Sequence, residues 1–161
     1  MNPLLTEWKH EAVQTRKMLA AVPNDKLNWK PHEKSMTLGH LAMHLASATS
    51  VFTPAIFKHD VYAWAGGKQP EPESVQDILH LFDTASAELA KELEHVSPEA
   101  LGKIWIFGTV EKPYFTMSRA AAVRQFLFSH TIHHRGQLSV YLRLLDVNVP
   151  GMYGPSADEK M

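Results

Sequence analysis

The run from Ser118 to about Leu145 constrains the fold most, because its apolar residues recur at helical spacing without interruption. Two histidines fall within this apolar stripe, which consists of Val123, Leu127, His130, His134, Leu138, Tyr141 and Leu145. A helix that is apolar on one face must bury that face against other elements. The run therefore predicts a long core helix that carries imidazoles on its buried side.

Three earlier stretches show the same helical period: residues 3–21, 38 to about 53, and 75 to about 95. Asn2, Thr37 and Ser74 are placed to cap their N-termini, and Asp77 would complete a capping box with Ser74. Pro54 is expected to end the second helix. Four helices of this length are typical of a helix bundle.

Residues 97–116 interrupt the helical pattern, and the segments 104–107 and 113–115 are predicted to be extended or to form a short hairpin. Neither repeats nor a low-complexity linker divide the chain. We therefore expect one all-α domain over residues 1–161, built as a four-helix bundle. The second and third connections between helices are long, so neighbouring helices can be parallel as well as antiparallel.

The composition narrows the function. A net charge of −1 leaves no basic surplus to neutralise phosphates, so nucleic-acid binding is not expected. No apolar run reaches the ~18–20 residues that span a bilayer, and the N-terminus lacks the pattern of a signal peptide. The chain contains no cysteine, which excludes disulfides and thiolate metal ligands. We expect a cytoplasmic protein that does not bind membranes.

Ten histidines are the unusual total, and they direct attention to metal binding. His130 and His134 are four residues apart, which places them on one helix face about 5–6 Å apart at Cβ. In the second helix, His44 lies inside the apolar stripe, and its main rival, His40, lies nearer the edge. Unsatisfied buried polar groups cost on the order of 1–3 kcal/mol each, so three convergent imidazoles favour a shared ligand. The candidate metal ligands are therefore His44, His130 and His134.

The remaining histidines are expected to have other roles. His133 points away from the stripe and is expected to be solvated or to support the ligands. His80 adjoins the apolar face of the third helix, where it could be buried without binding a metal. His59 lies in a charged loop. Exposure or partial exposure is expected for His10, His32 and His95.

Three imidazoles without a carboxylate suit zinc, nickel, cobalt, copper or iron(II) better than magnesium or calcium. Three protein ligands leave positions open for water or substrate, which is the pattern of catalytic sites. A metal there could acidify water or deprotonate an incoming thiol. The chain shows no glycine-rich phosphate loop and no Gly-x-Ser-x-Gly elbow, so the metal is the main catalytic candidate.

Several motifs carry a resemblance to a known family. The two main ones are Thr37-Leu-Gly-His-Leu-Ala-Met-His44 and His130-x-x-His133-His134-Arg-Gly-Gln137. Together with Trp29-Lys-Pro-His32 and the tail from Tyr153 to Glu159, they make the chain resemble the DinB-like (damage-inducible, YfiT-type) metal-dependent bundles. The similarity extends over nearly the whole chain.

The resemblance implies an up-down-down-up four-helix bundle that forms a homodimer. It also implies a divalent metal, typically nickel or zinc, held by His44, His130 and His134. Characterised relatives include S-transferases that use bacillithiol, mycothiol or glutathione, and a mycothiol-dependent isomerase.

We therefore expect an enzyme that transfers a low-molecular-weight thiol to an electrophilic small molecule, or a hydrolase-like enzyme at the same metal. The first alternative is a non-catalytic stress-response protein that binds a metal or a small ligand, and the second is a metal-free bundle. Arg135 and Gln137 are expected to pack against neighbouring helices or to hydrogen-bond the ligands, with packing favoured. Tyr141 is expected to be a core aromatic. The sequence indicates no organic cofactor and no catalytic residue beyond the ligands.

Overall fold

The computed structural model describes residues 2–64, 66, 67, 69 and 71–160. Four long helices dominate it: α1 (Pro3–Ala20), α2 (Leu38–Phe57), α3 (Val75–His95) and α5, which spans residues 119–144. A 3-10 turn (Asn24–Lys26) follows α1, and a short helix, α4 (Pro98–Gly102), precedes the hairpin. The strands are β1 (Val61–Tyr62), β2 (Ile104–Gly108) and β3 (Pro113–Ser118).

The predicted N-terminal caps are confirmed. The Asn2 side chain accepts a hydrogen bond from the backbone of Leu4, and the Thr37 hydroxyl accepts one from the backbone of His40. Ser74 and Asp77 form a reciprocal capping box at the start of α3. Each cap satisfies backbone N–H groups that have no partner within their own helix.

The expected end of α2 at Pro54 is wrong, because the helix continues to Phe57. A proline inside a helix removes one backbone hydrogen bond and strains the preceding turn. Beyond it, Ala55 and Ile56 are almost completely buried in the core. The extra turn buries apolar surface, and the free energy of this burial offsets the cost of the proline. The expectation that a helix ends at proline depends on the local sequence alone and does not include this gain.

The long helix α5 is not uniform. Ser118 caps it as predicted, and it begins with the α-helical turn Arg119–Ala122. The next segment, Val123–Ser129, is π-helical, and regular α-helix resumes over His130–Leu144. A π segment fits more residues into each turn, so it changes which side chains share a face.

A small sheet corrects the purely α-helical class. β2 and β3 form the expected antiparallel hairpin, and β1 pairs with β2 in parallel. Gly108 sits at the irregular end of this hairpin with φ +117°, where a Cβ would lie 2.7 Å from the Lys112 carbonyl oxygen. β1 is only two residues long, which is too short to show a strand period in the sequence.

The long helices form a ring of neighbours, in which α1 packs on α3, α3 on α2, α2 on α5, and α5 on α1. Trp8 lies at the centre of the core, stacked on Phe128 and tilted against Phe82. Trp105 joins the sheet to the bundle by donating a hydrogen bond from Nε1 to the carbonyl of Ala55, at 2.9 Å. Among the described residues, no helix is long and apolar enough to cross a membrane.

Candidate metal centre

Three histidines converge where α2 meets α5. They are His44 on α2 and the pair His130 and His134 on α5, one helical turn apart. Each offers a ring nitrogen, and these three nitrogens all lie within 4.8 Å of one another. Nε2 of His44 and Nε2 of His130 are 3.1 Å apart. The three residues predicted as metal ligands are thus the ones that the fold brings together.

Two glutamines orient the rings of this cluster. Oε1 of Gln69 lies 3.0 Å from Nδ1 of His44, and Oε1 of Gln137 lies 2.8 Å from Nδ1 of His134. An amide oxygen only accepts hydrogen bonds, so each Nδ1 must carry the proton that it donates. In the neutral ring, the lone pair is then on Nε2, which is the arrangement found in histidines that bind metals.

Burial keeps these rings neutral. It is the main reason why the pKa of His130 falls to about 3, with smaller contributions from the neighbouring histidine rings. Burial also lowers the pKa of His44 and of His134, partly offset by their hydrogen bonds to Gln69 and Gln137. Neutral imidazole is the form that binds a metal ion.

The donor set fits a divalent transition metal. Two nitrogens that are each about 2.0–2.1 Å from one ion lie roughly 3.0–3.5 Å apart, which includes the 3.1 Å seen between His44 and His130. Two nitrogen lone pairs at that distance repel each other unless a proton or a cation lies between them. His130 also keeps a buried Nδ1 with no hydrogen-bond partner among the described residues.

The remaining histidines lie outside the cluster. His40 is the alternative to His44 as a ligand on α2. Its Nδ1 lies 3.3 Å from a carboxylate oxygen of Glu71, and its side chain lines a cavity beside the cluster. His133 is exposed, as expected for a side chain off the apolar face. His80 is exposed, because that position lies just beyond the buried face that Ile78, Leu79 and Phe82 provide. Exposure is observed for His10, His32, His59 and His95.

Sequence reasoning missed Gln69 altogether. It lies in the connection between β1 and α3, and its amide also donates a hydrogen bond to the backbone carbonyl of His40, at 2.9 Å. A glutamine in a loop rich in glycine and proline carries no signal of such a contact. For Gln137 the structure shows the alternative to helix packing, a hydrogen bond to His134.

Arg135 does pack between helices, as expected. Its guanidinium lies 2.7 Å from the Glu11 carboxylate, and both side chains are almost completely buried. It also donates hydrogen bonds to the Thr15 hydroxyl and to the hydroxyl of Tyr153. Tyr141 is half-buried and packs edge-on against Trp29 at a centroid distance of 5.7 Å.

A cavity of about 890 Å³ adjoins the histidine cluster, and His44 and His130 form part of its lining. Its other described walls include the aromatic side chains of Phe52, Trp64, Phe107 and Phe126. A volume of this size is within the range of small-molecule binding sites. An ion at the histidines would therefore border a space that could hold a substrate.

Comparisons with known proteins show which family the chain resembles over its length. The model of the DinB family matches residues 1–160. Among curated proteins, the uncharacterized protein YrdA of Bacillus subtilis is 28% identical over 163 residues, covering 99% of this chain and 91% of that protein. The uncharacterized protein YjoA of the same organism is 24% identical, covering 88% of each chain.

Solved structures share the fold. A DinB-like protein from Bacillus cereus matches with a TM-score of 0.72 at 25% identity, covering 93% of this chain and 95% of that one. The DinB-like protein YjoA from Bacillus subtilis matches with a TM-score of 0.72 at 19% identity, covering 99% of this chain and 100% of that one. The second likeness concerns the fold alone.

Proposed function

This chain belongs to the DinB family, and on that premise we propose that it is a metal-dependent enzyme that transfers a low-molecular-weight thiol to an electrophilic small molecule. His44, His130 and His134 hold a divalent ion, nickel or zinc in the first instance, and iron, cobalt and copper suit the same nitrogen donors. Gln69 and Gln137 keep two of the rings in the tautomer that binds metal.

The observation that carries the proposal is the cavity beside the ligands. A structural metal site is closed by four protein ligands, whereas a catalytic one has three and keeps a position open. The cluster has three histidines, and two of them, His44 and His130, border a space of about 890 Å³. A small molecule in that space would lie directly beside the ion.

A bound divalent ion would lower the pKa of a thiol that approaches it, so that the thiolate is available near neutral pH. In the transfer, the thiol loses its proton to solvent and its sulfur forms a bond to the electrophilic carbon. The bond from that carbon to the leaving group breaks, and its electron pair departs with the leaving group. Phe52, Phe107 and Phe126 exclude water from this space and position the electrophile.

A thiol-consumption assay tests the proposal. Protein loaded with nickel or with zinc is incubated with a generic electrophile, 1-chloro-2,4-dinitrobenzene, and a panel of thiols that includes bacillithiol, mycothiol and glutathione. We expect turnover with at least one thiol, lost after chelation and restored when the metal is added back. His44→Ala should abolish this turnover, and His133→Ala, which changes an exposed neighbour of the cluster, should largely retain it.

Absence of turnover with every thiol, in protein whose metal content is stoichiometric, would favour the non-catalytic binding protein. A metal content below about a tenth of an equivalent after attempts at loading would contradict both functions and leave a metal-free bundle.

A further inference from the structure

The cavity beside the histidines follows two antiparallel helices. His44 of α2 lies against His130 and His134 of α5, while Phe52 of α2 lies against Phe126 of α5. Residue numbers rise along one helix as they fall along the other, so the helices run in opposite directions. Eight residues separate His44 from Phe52, which is about 12 Å along the helix axis. The cavity therefore has a histidine end and an aromatic end.

The aromatic end is built from three phenylalanine rings on three different elements. Phe52 and Phe126 have ring centroids 4.9 Å apart, and Phe107 of β2 lies 6.2 Å from the first and 5.4 Å from the second. Trp64, from the loop after β1, lines the same cavity and is 49% exposed. None of these four rings is sealed in the core, so each offers apolar surface to an occupant.

Among the described residues that line the cavity, none is a lysine, arginine, aspartate or glutamate. Two of its polar side chains are already engaged, since Gln69 bonds His44 and the Ser47 hydroxyl donates to the His44 carbonyl. A charged group on the occupant would lose its hydration here without gaining a counter-charge from the described lining, which is unfavourable.

From this layout we propose that the occupant is an uncharged, ring-containing apolar molecule lying along the groove between α2 and α5, with a single polar group at the histidine end. The size of the cavity, about 890 Å³, corresponds to a drug-sized molecule and not to a solvent molecule or a free ion. The identification of this molecule as the electrophilic substrate rests on the proposed function. The preference of the cavity for an uncharged aromatic molecule does not depend on that function.

The test uses two dyes that differ by one charge. N-Phenyl-1-naphthylamine is an uncharged aromatic fluorophore, and 1-anilinonaphthalene-8-sulfonate is the same framework with an added sulfonate. Each is titrated into chelator-treated full-length protein, so that no metal can attract the anion. We expect the uncharged dye to bind about tenfold more tightly or better, because the described lining of the cavity offers the sulfonate no counter-charge. Equal or tighter binding of the sulfonated dye would overturn the proposal.

A pair of matched variants locates the dye. Val51 lines the cavity from α2, and Val13 is a 65% exposed valine on α1. Val51→Trp fills the cavity and should weaken binding of the uncharged dye at least about tenfold, whereas Val13→Trp should leave it unchanged. Val51→Asp, with Val13→Asp as its control, should weaken binding as well, by placing a charge in the apolar wall. Circular dichroism verifies that each variant is folded.

Undiminished dye binding in both Val51 variants would place the dye elsewhere and overturn the proposal. Failure of the proposed function gives a different result, because it appears as missing metal or missing thiol turnover while the dye preference and the effect of Val51→Trp persist. The two ideas can therefore fail separately.

Discussion

At the scale of single residues, ring orientation decides which histidines can share an ion. His134 is only 9% exposed and its ring faces His44, whereas His133, the preceding residue, is exposed. Successive helical residues point about 100° apart, so the two neighbouring rings cannot both enter the same cluster. His40 is excluded for a different reason: it shares a helix face with His44, but it lies one turn earlier, where its ring contacts Glu71.

This difference predicts the effect of substitution on metal content. His44→Ala and His134→Ala each remove one of three donors and should reduce bound nickel or zinc to a small fraction of an equivalent. His133→Ala removes a ring outside the donor set and should largely preserve binding. Elemental analysis of protein that has been loaded with metal and desalted measures all three. Equal losses in His133→Ala and His44→Ala would contradict the assignment.

At the scale of elements, the π-helical segment of α5 bears on the site. Val123–Ser129 contains Phe126 of the cavity and ends immediately before His130 of the cluster. Because a π segment holds more residues per turn, it changes the rotation of α5 on one side of the cluster relative to the other. The histidine pair and Phe126 both face α2, where the substrate is proposed to bind.

The contact of α5 with α1 and the C-terminal tail depends on Arg135. Its guanidinium pairs with Glu11 of α1 and donates to the hydroxyl of Tyr153, which in turn donates to the Glu11 carboxylate at 2.8 Å. Arg135→Met would leave the Glu11 carboxylate buried without its counter-charge. Breaking a buried pair in this way costs about 3–5 kcal/mol. We expect a loss of that order in the free energy of unfolding, measured by urea titration.

The control for this prediction is Arg16→Met. Arg16 also pairs with a carboxylate, that of Asp83, but both side chains of this pair are exposed. Solvent screens an exposed pair, so this substitution should change stability little. If the two methionine variants were equally stable, the buried network would not be what ties α5 to α1.

At the scale of the whole molecule, the cluster links stability to pH. Burial lowers the pKa of His44, His130 and His134 in the folded chain, to about 3 for His130, against an ordinary value of 6.5. Between these pKa values the unfolded chain binds more protons than the folded one. The contribution of the three neutral histidines to stability is therefore complete above about pH 6.5. It is lost as the pH falls toward the pKa values that these histidines have in the folded chain.

We expect the free energy of unfolding of metal-free protein to decrease from pH 7 to pH 5, by up to about 1.4 kcal/mol per pH unit for each proton taken up. Urea titrations at several pH values measure this. His130→Gln should reduce the dependence, and His32→Ala, which changes an exposed histidine before α2, should retain it.

Bound metal should add stability in the same range, above about pH 6.5, because ligation also requires neutral imidazole. A thermal transition that responds neither to chelator nor to pH would contradict both the metal site and the buried neutral rings.

The sequence by itself determined the four long helices, most of their caps and the three candidate ligands. These are local properties of the sequence: the helical period, the capping residues, and the positions of His44, His130 and His134 within apolar stripes. Each of them is also observed in the folded chain. The family followed from the same motifs and is shown by the match over residues 1–160.

Tertiary structure decided the rest. The last turn of α2 beyond Pro54 and the parallel pairing of β1 depend on burial and on a distant strand, to which no local pattern refers. Gln69 orients His44 from a loop 25 residues away, and the aromatic end of the cavity forms only when β2 lies against α2 and α5. Contacts between residues far apart in the chain depend on packing in three dimensions, and for that reason the donors could be derived from the sequence whereas the cavity beside them could not.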